Sequence, residues 1–277
     1  MSKLYVVGTP IGNLSDLSPR AVETLGAVDF IAAEDTRVTL KLLNHFGIKK
    51  PMLSYFEHNK RERGELICAR ILAGETCAVV TDAGMPCISD PGEDLIKLCE
   101  EKGILTEVVP GPSAVISALA VSGLETGRFC FEGFLSMNKK SRREHLESLA
   151  EEKRTMIFYE APHKLPSTLR DLYSAFGLRR LTIVRELTKI HEEVIRTDTR
   201  YAAEVLADSG IKGEIVLVLE GKKLEEKREY TLENAVEIAR ELAESGIKLS
   251  EAAKAAASQT GLKKNDIYRV LTSREEE

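Results

Sequence analysis

The sequence lacks any long apolar run. Its N-terminal hydrophobic stretch, Leu4–Gly8, is far too short for a signal h-region or a membrane span, so the expected location is the cytosol. The cysteines, at positions 68, 77, 87, 99 and 130, include no C-x-x-C pair. That excludes a zinc knuckle, predicts no metal site, and makes reduced, packed thiols the default. Positive charge is not in excess either: 39 basic against 44 acidic residues give a net charge of −5. A protein that holds nucleic acid through bulk charge is basic, so any such contact here must come from local patches. The loop Gly8-Thr9-Pro10-Ile11-Gly12-Asn13 has neither the G-x-G-x-x-G spacing nor a Gly-Lys-Ser/Thr ending. Dinucleotide and nucleoside-triphosphate readings of it fail.

What is present describes a folded protein. Hydrophobic residues make up 43% and charged residues 30%, with 19 Gly and 9 Pro, a profile that excludes disordered and collagen-like chains. The length of 277 residues suggests two domains at about 150 residues each. A short β-rich run, a loop and a helix-like stretch alternate along most of the chain. Strands are expected at 4–8, 29–33, 76–81, 106–109, 129–134, 155–160, 181–186 and 214–219. Ser18 before Pro19 predicts an N-cap with Pro at the first helical position. Such alternation implies α/β architecture with much parallel pairing. The lobes expected are 1–122 and 123–221, joined at the glycines of 122–127. A charged linker over 222–230 follows, and then an all-helical domain, 231–277. Leu232, Ala235, Val236, Ala239, Leu242 and Ala243 share one helical face there.

Three loops leave strands with unusual backbones. They are Gly8–Asn13, then Thr81–Gly92 (Thr-Asp-Ala-Gly-Met-Pro-Cys-Ile-Ser-Asp-Pro-Gly), then Val109–Ala114 (Val-Pro-Gly-Pro-Ser-Ala). Ligands of open α/β sheets bind outside the carboxyl ends of strands. Glycine and proline there expose main-chain groups, and Asp82 sits where a carboxylate can accept hydrogen bonds from a ligand. Polar clusters occupy further strand exits: Glu34–Arg37, Tyr55–Asn59, Tyr159–Lys164 and Glu186–Glu193. Loops held by a rigid scaffold are where sites are built.

These segments, in this order and with Gly213–Gly221, resemble the tetrapyrrole methylase family of S-adenosylmethionine-dependent methyltransferases, over residues 4–221. The resemblance implies a two-lobed fold with the cofactor in the cleft between the lobes, and the small helical domain beyond it. It implies that Ile11, Asp82, Met85, Ser113 and Ala114 line the S-adenosylmethionine site. Phe158 or Tyr159, and the strand around Ile215, would close it from the second lobe. Members of the family are usually homodimers. The first loop departs from the Gly-x-Gly-x-Gly-Asp pattern of the tetrapyrrole-modifying members, with Pro10 and Asn13 in place of a Gly and the Asp, which argues against a corrinoid substrate. The likeness is to the branch that methylates a ribose 2′-hydroxyl, so it implies 16S rRNA or the small ribosomal subunit as partner and a cytidine of the decoding region as target. Asp35, His58 and Glu160 are the candidates for a base or orienting group, with Arg37 for a phosphate or a carboxylate.

Two features bear on an RNA substrate. Ala257, Gly261 and Ile267 have helix-turn-helix spacing, with Lys263, Lys264 and Arg269 on or beside the second helix. Lys139, Lys140, Arg142 and Arg143 cluster with no acid among them, and would form a phosphate-binding rim. The ordinary reading of such a patch is a solvated helix face, and that of the tail is a packing cap. Two other functions are open: methylation of a tetrapyrrole or a protein side chain on the same fold, and a non-catalytic nucleic-acid-binding regulator.

Overall fold

The computed structural model describes residues 2–223 and 230–273. The chain divides into two compact units, Met1–Lys222 and Lys223–Glu277. Most of the expected linker, 224–229, and the last four residues lie outside the described residues.

The first sheet contains β1 (Leu4–Val7), β2 (Phe30–Ala33), β3 (Met52–Ser54), β4 (Cys77–Val80) and β5 (Thr106–Val109), in the order β3-β2-β4-β1-β5. All its pairs are parallel. Its connections run through α1 (Pro19–Ala27), α2 (Thr36–His45), α3 (Lys60–Leu72) and α4 (Glu93–Glu101). The central strands β2 and β4 are buried throughout, as expected of strands covered by helices on both faces. Helix α1 starts as its sequence predicts: the Ser18 hydroxyl accepts from the Ala21 N–H and Pro19 opens the helix.

Next comes α5 (Ala114–Ser122), whose left-handed cap is Gly123. The second sheet holds β6 (Phe129–Phe134), β7 (Thr155–Glu160), β8 (Arg180–Arg185), β9 (Glu193–Asp198) and β10 (Ile215–Leu219), in the order β6-β7-β10-β8-β9. Helices α6 (Lys139–Ser148), α7 (Leu165–Phe176) and α8 (Thr199–Glu204) accompany it. The parallel pairing expected along the alternating region stops here: only β6 and β7 are parallel, and the other three pairs are antiparallel. Strand β9 was not expected. It is an edge strand with no fully buried residue, so it has no apolar run to mark it in the sequence. Buried β10 is the centre of this sheet, and each of its large aliphatic side chains is worth about 1.5–3 kcal/mol relative to exposure.

Helix α5 shows how the lobes are joined. Its Val115, Ala118 and Leu119 share a core with Ile157 of β7, Val184 of β8, and Val216 and Val218 of β10, and Ile11 from the first loop joins them. The packing boundary therefore falls ahead of α5, whereas the glycine-marked boundary follows it.

The second unit contains α9 (Leu232–Glu244), α10 (Leu249–Thr260) and α11 (Lys264–Ser273). Thr231 and Asn234 form a reciprocal capping box at the start of α9. Ala235, Val236 and Ala239 pack on Ala253, Ala256, Ile267 and Leu271. Gly261 takes the left-handed conformation that ends α10, and Ile267 is fully buried.

Candidate active site between the sheets

The strand exits of the first sheet are laced together by contacts that need glycine. A Cβ added to Gly8 would lie 2.7 Å from Cα of Gly111, so the loops after β1 and β5 touch backbone to backbone. The Thr9 and Gly84 backbones exchange hydrogen bonds of 2.9 and 3.1 Å, and the Thr9 hydroxyl donates to the Thr81 carbonyl at 3.1 Å. Gly111 N–H contacts the Met85 sulfur at 3.3 Å. In the loop after β4, Cys87 and Ser89 hold positive φ without being glycine, at 71° and 61°. Strained backbone of this kind concentrates at functional sites.

Against this wall stands a cavity of about 420 Å³, within the range that takes a cofactor. Its far side is built from the ends of β6, β7, β8 and β10. The seven residues assigned to the cofactor from the sequence, Ile11, Asp82, Met85, Ser113, Ala114, Tyr159 and Ile215, all lie on its wall. The neighbouring Phe158 does not, because its side chain turns into the core of the second lobe. The lining suits S-adenosylmethionine: aliphatic residues can hold a purine, and the carboxylates of Glu34, Asp82 and Asp90 can receive an ammonium, a sulfonium or ribose hydroxyls.

The carboxylates form one network. The Thr81 hydroxyl donates to Glu34, and the Asp35 N–H donates to Asp82 at 3.1 Å. Burial, then the Glu34 charge, push the Asp82 carboxyl above its ordinary range. Asp90 is raised further, to about 7, by burial and then by the charges of Glu34 and Asp82, with the Thr81 hydroxyl as partial offset. Tyr159 is pushed up to about 12 by burial and then by Asp90. Glu34 and Asp90 were not selected from the sequence. Both stood in loops already singled out, but only their convergence across the cavity distinguishes them from other charged loop residues.

The residues proposed as bases fare differently. Glu160 lies on the cavity wall, buried, and its oxygens accept from the Ala161 N–H and the Thr168 hydroxyl. Asp35 and Arg37 do not line the cavity. Asp35 caps α2, and its hydrogen bonds from the Arg37 side chain and N–H hold it near 2. Arg37 is committed to Asp35 at 2.6 Å. His58 is exposed, away from the cavity wall, with its ring edge-on to Phe56. Of these four candidates only Glu160 lines the cavity; Asp35 caps α2, and the carboxylate that Arg37 holds is that of Asp35.

The basic cluster does not present all four of its cations to solvent. Arg142 is 7% exposed and bonded to Asp171 at 2.7 Å, so it supports α6 against α7 and is largely withdrawn from solvent. Arg143 pairs with Glu147 at 2.7 Å, and Lys140 lies 3.9 Å from Glu144, both one helical turn on. Lys139 is exposed. In the second unit Lys263 is exposed, Lys264 reaches the Ser250 hydroxyl at 3.2 Å, and Arg269 lies 3.4 Å from Asp266. Among the described residues no group of acidic, histidine or cysteine side chains could hold a metal, and no helix is long and apolar enough to cross a membrane.

Known proteins share this architecture. Residues 3–203 match the model of the Tetrapyrrole (Corrin/Porphyrin) Methylases. A Synechocystis protein named Ribosomal RNA small subunit methyltransferase I is 46% identical over 98% of this chain and 97% of its own length. A Thermotoga maritima protein of the same name is 48% identical over 80% of this chain and all of its own. The uroporphyrin-III C-methyl transferase of Thermus thermophilus, solved with S-adenyl homocysteine, superposes with a TM-score of 0.56 at 17% identity, covering 79% of this chain and 97% of that one. The chain belongs to the tetrapyrrole methylase family of S-adenosylmethionine-dependent methyltransferases.

Proposed function

We propose that this protein methylates the 2′-hydroxyl of a cytidine ribose in the decoding region of small-subunit rRNA, acting in the cytoplasm as a homodimer. The observation that carries the reading is the 46% identity, over nearly the whole of both chains, to a protein named for methylating small-subunit rRNA. The first loop supports it, since Pro10 and Asn13 stand where the tetrapyrrole-modifying pattern has Gly and Asp.

S-Adenosylmethionine, when bound, supplies an already activated sulfonium methyl. The chain's share of the work is alignment and proton removal. The loops that meet at Gly8, Gly84 and Gly111 form one rigid wall, and alignment of this kind is worth on the order of 7–11 kcal/mol in favourable cases. A ribose hydroxyl becomes a good nucleophile only as its proton leaves, and a base works best with a pKa near the operating pH. Asp90 meets that condition, held near 7 on the cavity wall. Asp35, held near 2 by Arg37, does not. Glu160, with a donor on each oxygen, is assigned the positioning of the β7 exit.

Mass mapping of rRNA from cells with and without this chain tests the reading. The expected result is one ribose methyl lost from a cytidine of the small-subunit RNA and restored by purified protein with S-adenosylmethionine. An unchanged methylation map, with methyl transfer to a tetrapyrrole or a protein, would overturn it.

A further inference from the structure

Strand β6 carries three phenylalanines at 129, 131 and 134. Side chains alternate across a strand, so Phe129 and Phe131 share a face and Phe134 should fall on the other. It does not. Phe131 is paired with Ile157, but Gly133 with Phe158 and Phe134 with Tyr159, so Glu132 is an inserted residue. Gly133 takes φ +64°, which glycine adopts without steric cost. Such a bulge re-aims the side chains beyond it. Here it returns Phe134 to the face of Phe131, and both rings meet Tyr159, at centroid distances of 4.9 and 5.4 Å.

The two rings end differently. Phe131 packs against the core shared with α5. Phe134 remains 56% exposed and lies on the cavity wall. Ile88 on the same wall is 51% exposed, and Met137, three residues along the chain, is 76% exposed. Exposed Lys139 and Lys140 follow at the start of α6. A bulge that leaves an aromatic ring half in solvent at the mouth of a cavity gains little packing. Aromatic faces followed by cations are how proteins hold unpaired nucleotides: bases stack on the rings and phosphates meet the charges.

We propose that Phe134 is the stacking platform for the base of the target nucleotide, which is turned out of the RNA so that its ribose enters the cavity, with Lys139 and Lys140 beside its phosphates. The proposal rests on the RNA-methyltransferase reading above. A ribose hydroxyl cannot reach a methyl donor in an enclosed cleft while its nucleotide stays in a helix. Turning the nucleotide out costs stacking, and an aromatic surface at the cavity mouth returns it. The phosphate contacts position the strand without reading its sequence.

The test measures initial rates of methyl transfer from S-adenosylmethionine to small ribosomal subunits purified from cells lacking this chain. Phe134→Ala, Phe134→Leu, Phe134→Tyr and Phe134→Trp are compared with the wild type, and the cofactor affinity of each is measured by calorimetry. Loss of the ring should lower kcat/KM for the subunit about 10- to 100-fold, the range expected for one base–aromatic stack. Tyr and Trp should restore the rate, Leu should not, and cofactor affinity should stay at the wild-type value. Three outcomes would overturn the proposal: wild-type kcat/KM in Phe134→Ala, rescue by Leu as complete as by Trp, or a loss of cofactor affinity that accounts for the loss of rate. The last would make Phe134 a wall of the cofactor site instead. If the wild type itself transfers no methyl to the subunit but does so to another acceptor, the RNA reading fails first and this proposal falls with it.

Discussion

Gly8 and Gly111 lie so close that neither can carry a side chain: a Cβ on Gly111 would sit 2.8 Å from the Gly8 Cα and carbonyl carbon, and one on Gly8 would sit 2.7 Å from Gly111. The contact brings the exits of two adjacent parallel strands, β1 and β5, into one surface. Met85 reaches the same point from β4. Gly8→Ala or Gly111→Ala must push backbone against backbone, at a cost of about 1–3 kcal/mol for an overpacked site. Cofactor affinity should fall with stability, and calorimetric titration beside thermal unfolding measures both. Wild-type values in either variant would show that the loops can part freely.

Asp82 ends the most strongly β stretch of the first lobe and accepts from the Asp35 N–H. Asp82→Ala should weaken S-adenosylmethionine binding while leaving the unfolding temperature within a few degrees, because one exposed hydrogen bond is worth about 0.5–1.5 kcal/mol. An unchanged dissociation constant would remove Asp82 from the cofactor site.

Asp90 gives a pH dependence with a definite sign. Its folded pKa of about 7 lies above the ordinary 3.8, so between these values the folded state binds the extra proton. Stability from this group is present in acid and is lost as pH rises from about 4 to 7. Asp90→Asn should remove that slope, making the variant more stable than wild type at pH 8 and equal to it below pH 4. Solvent reaches the half-buried group, so the gain should be about 1 kcal/mol and not the full shift. Denaturant titrations across pH read it. The same substitution should abolish the acid limb of methyl transfer along with most of the rate, and a retained limb near pH 7 would assign the base elsewhere.

Arg142 and its neighbours should separate cleanly. Arg142→Gln leaves Asp171 without its partner and should lower stability by about 1–3 kcal/mol. Changing Lys139, Lys140 and Arg143 to Gln together should leave stability within about 0.5 kcal/mol, as exposed pairs contribute little. That triple variant should bind RNA more weakly, with a shallower salt dependence and unchanged target choice. Wild-type turnover at limiting RNA would return these residues to a solvated helix face.

The helical unit supplies the last test. If α10 and α11 dock RNA, removing residues 231–277 should leave cofactor binding unchanged and reduce the slope of RNA affinity against salt. Equal slopes for the two proteins would make the unit a packing element.

Local chemistry makes much of this legible in the sequence alone. Ser18-Pro19 starts α1, and Gly261 stops α10. The glycine and proline loops mark the wall of the cavity, because a backbone that must approach another backbone leaves its requirement in the residue type. Asp82 could be singled out from its strand exit, whereas Ile11 and Tyr159 were assigned to the same site only through the family resemblance; all three line one cavity. What one dimension does not carry is pairing and convergence. The edge strand β9 has no buried face to give it a pattern, and the antiparallel second sheet arises from which strands meet. Arg142 reads as a free cation until α7 brings Asp171 against it. Asp35 reads as a base or an orienting group, and only the fold shows it capping α2 and bound to Arg37. Asp90 is one carboxylate among many until folding places it beside Glu34 and Asp82, in a half-buried site where like charges raise its proton affinity. The identities of these groups belong to the sequence. Their protonation, exposure and partners depend on distance and burial, which exist only once the chain has folded.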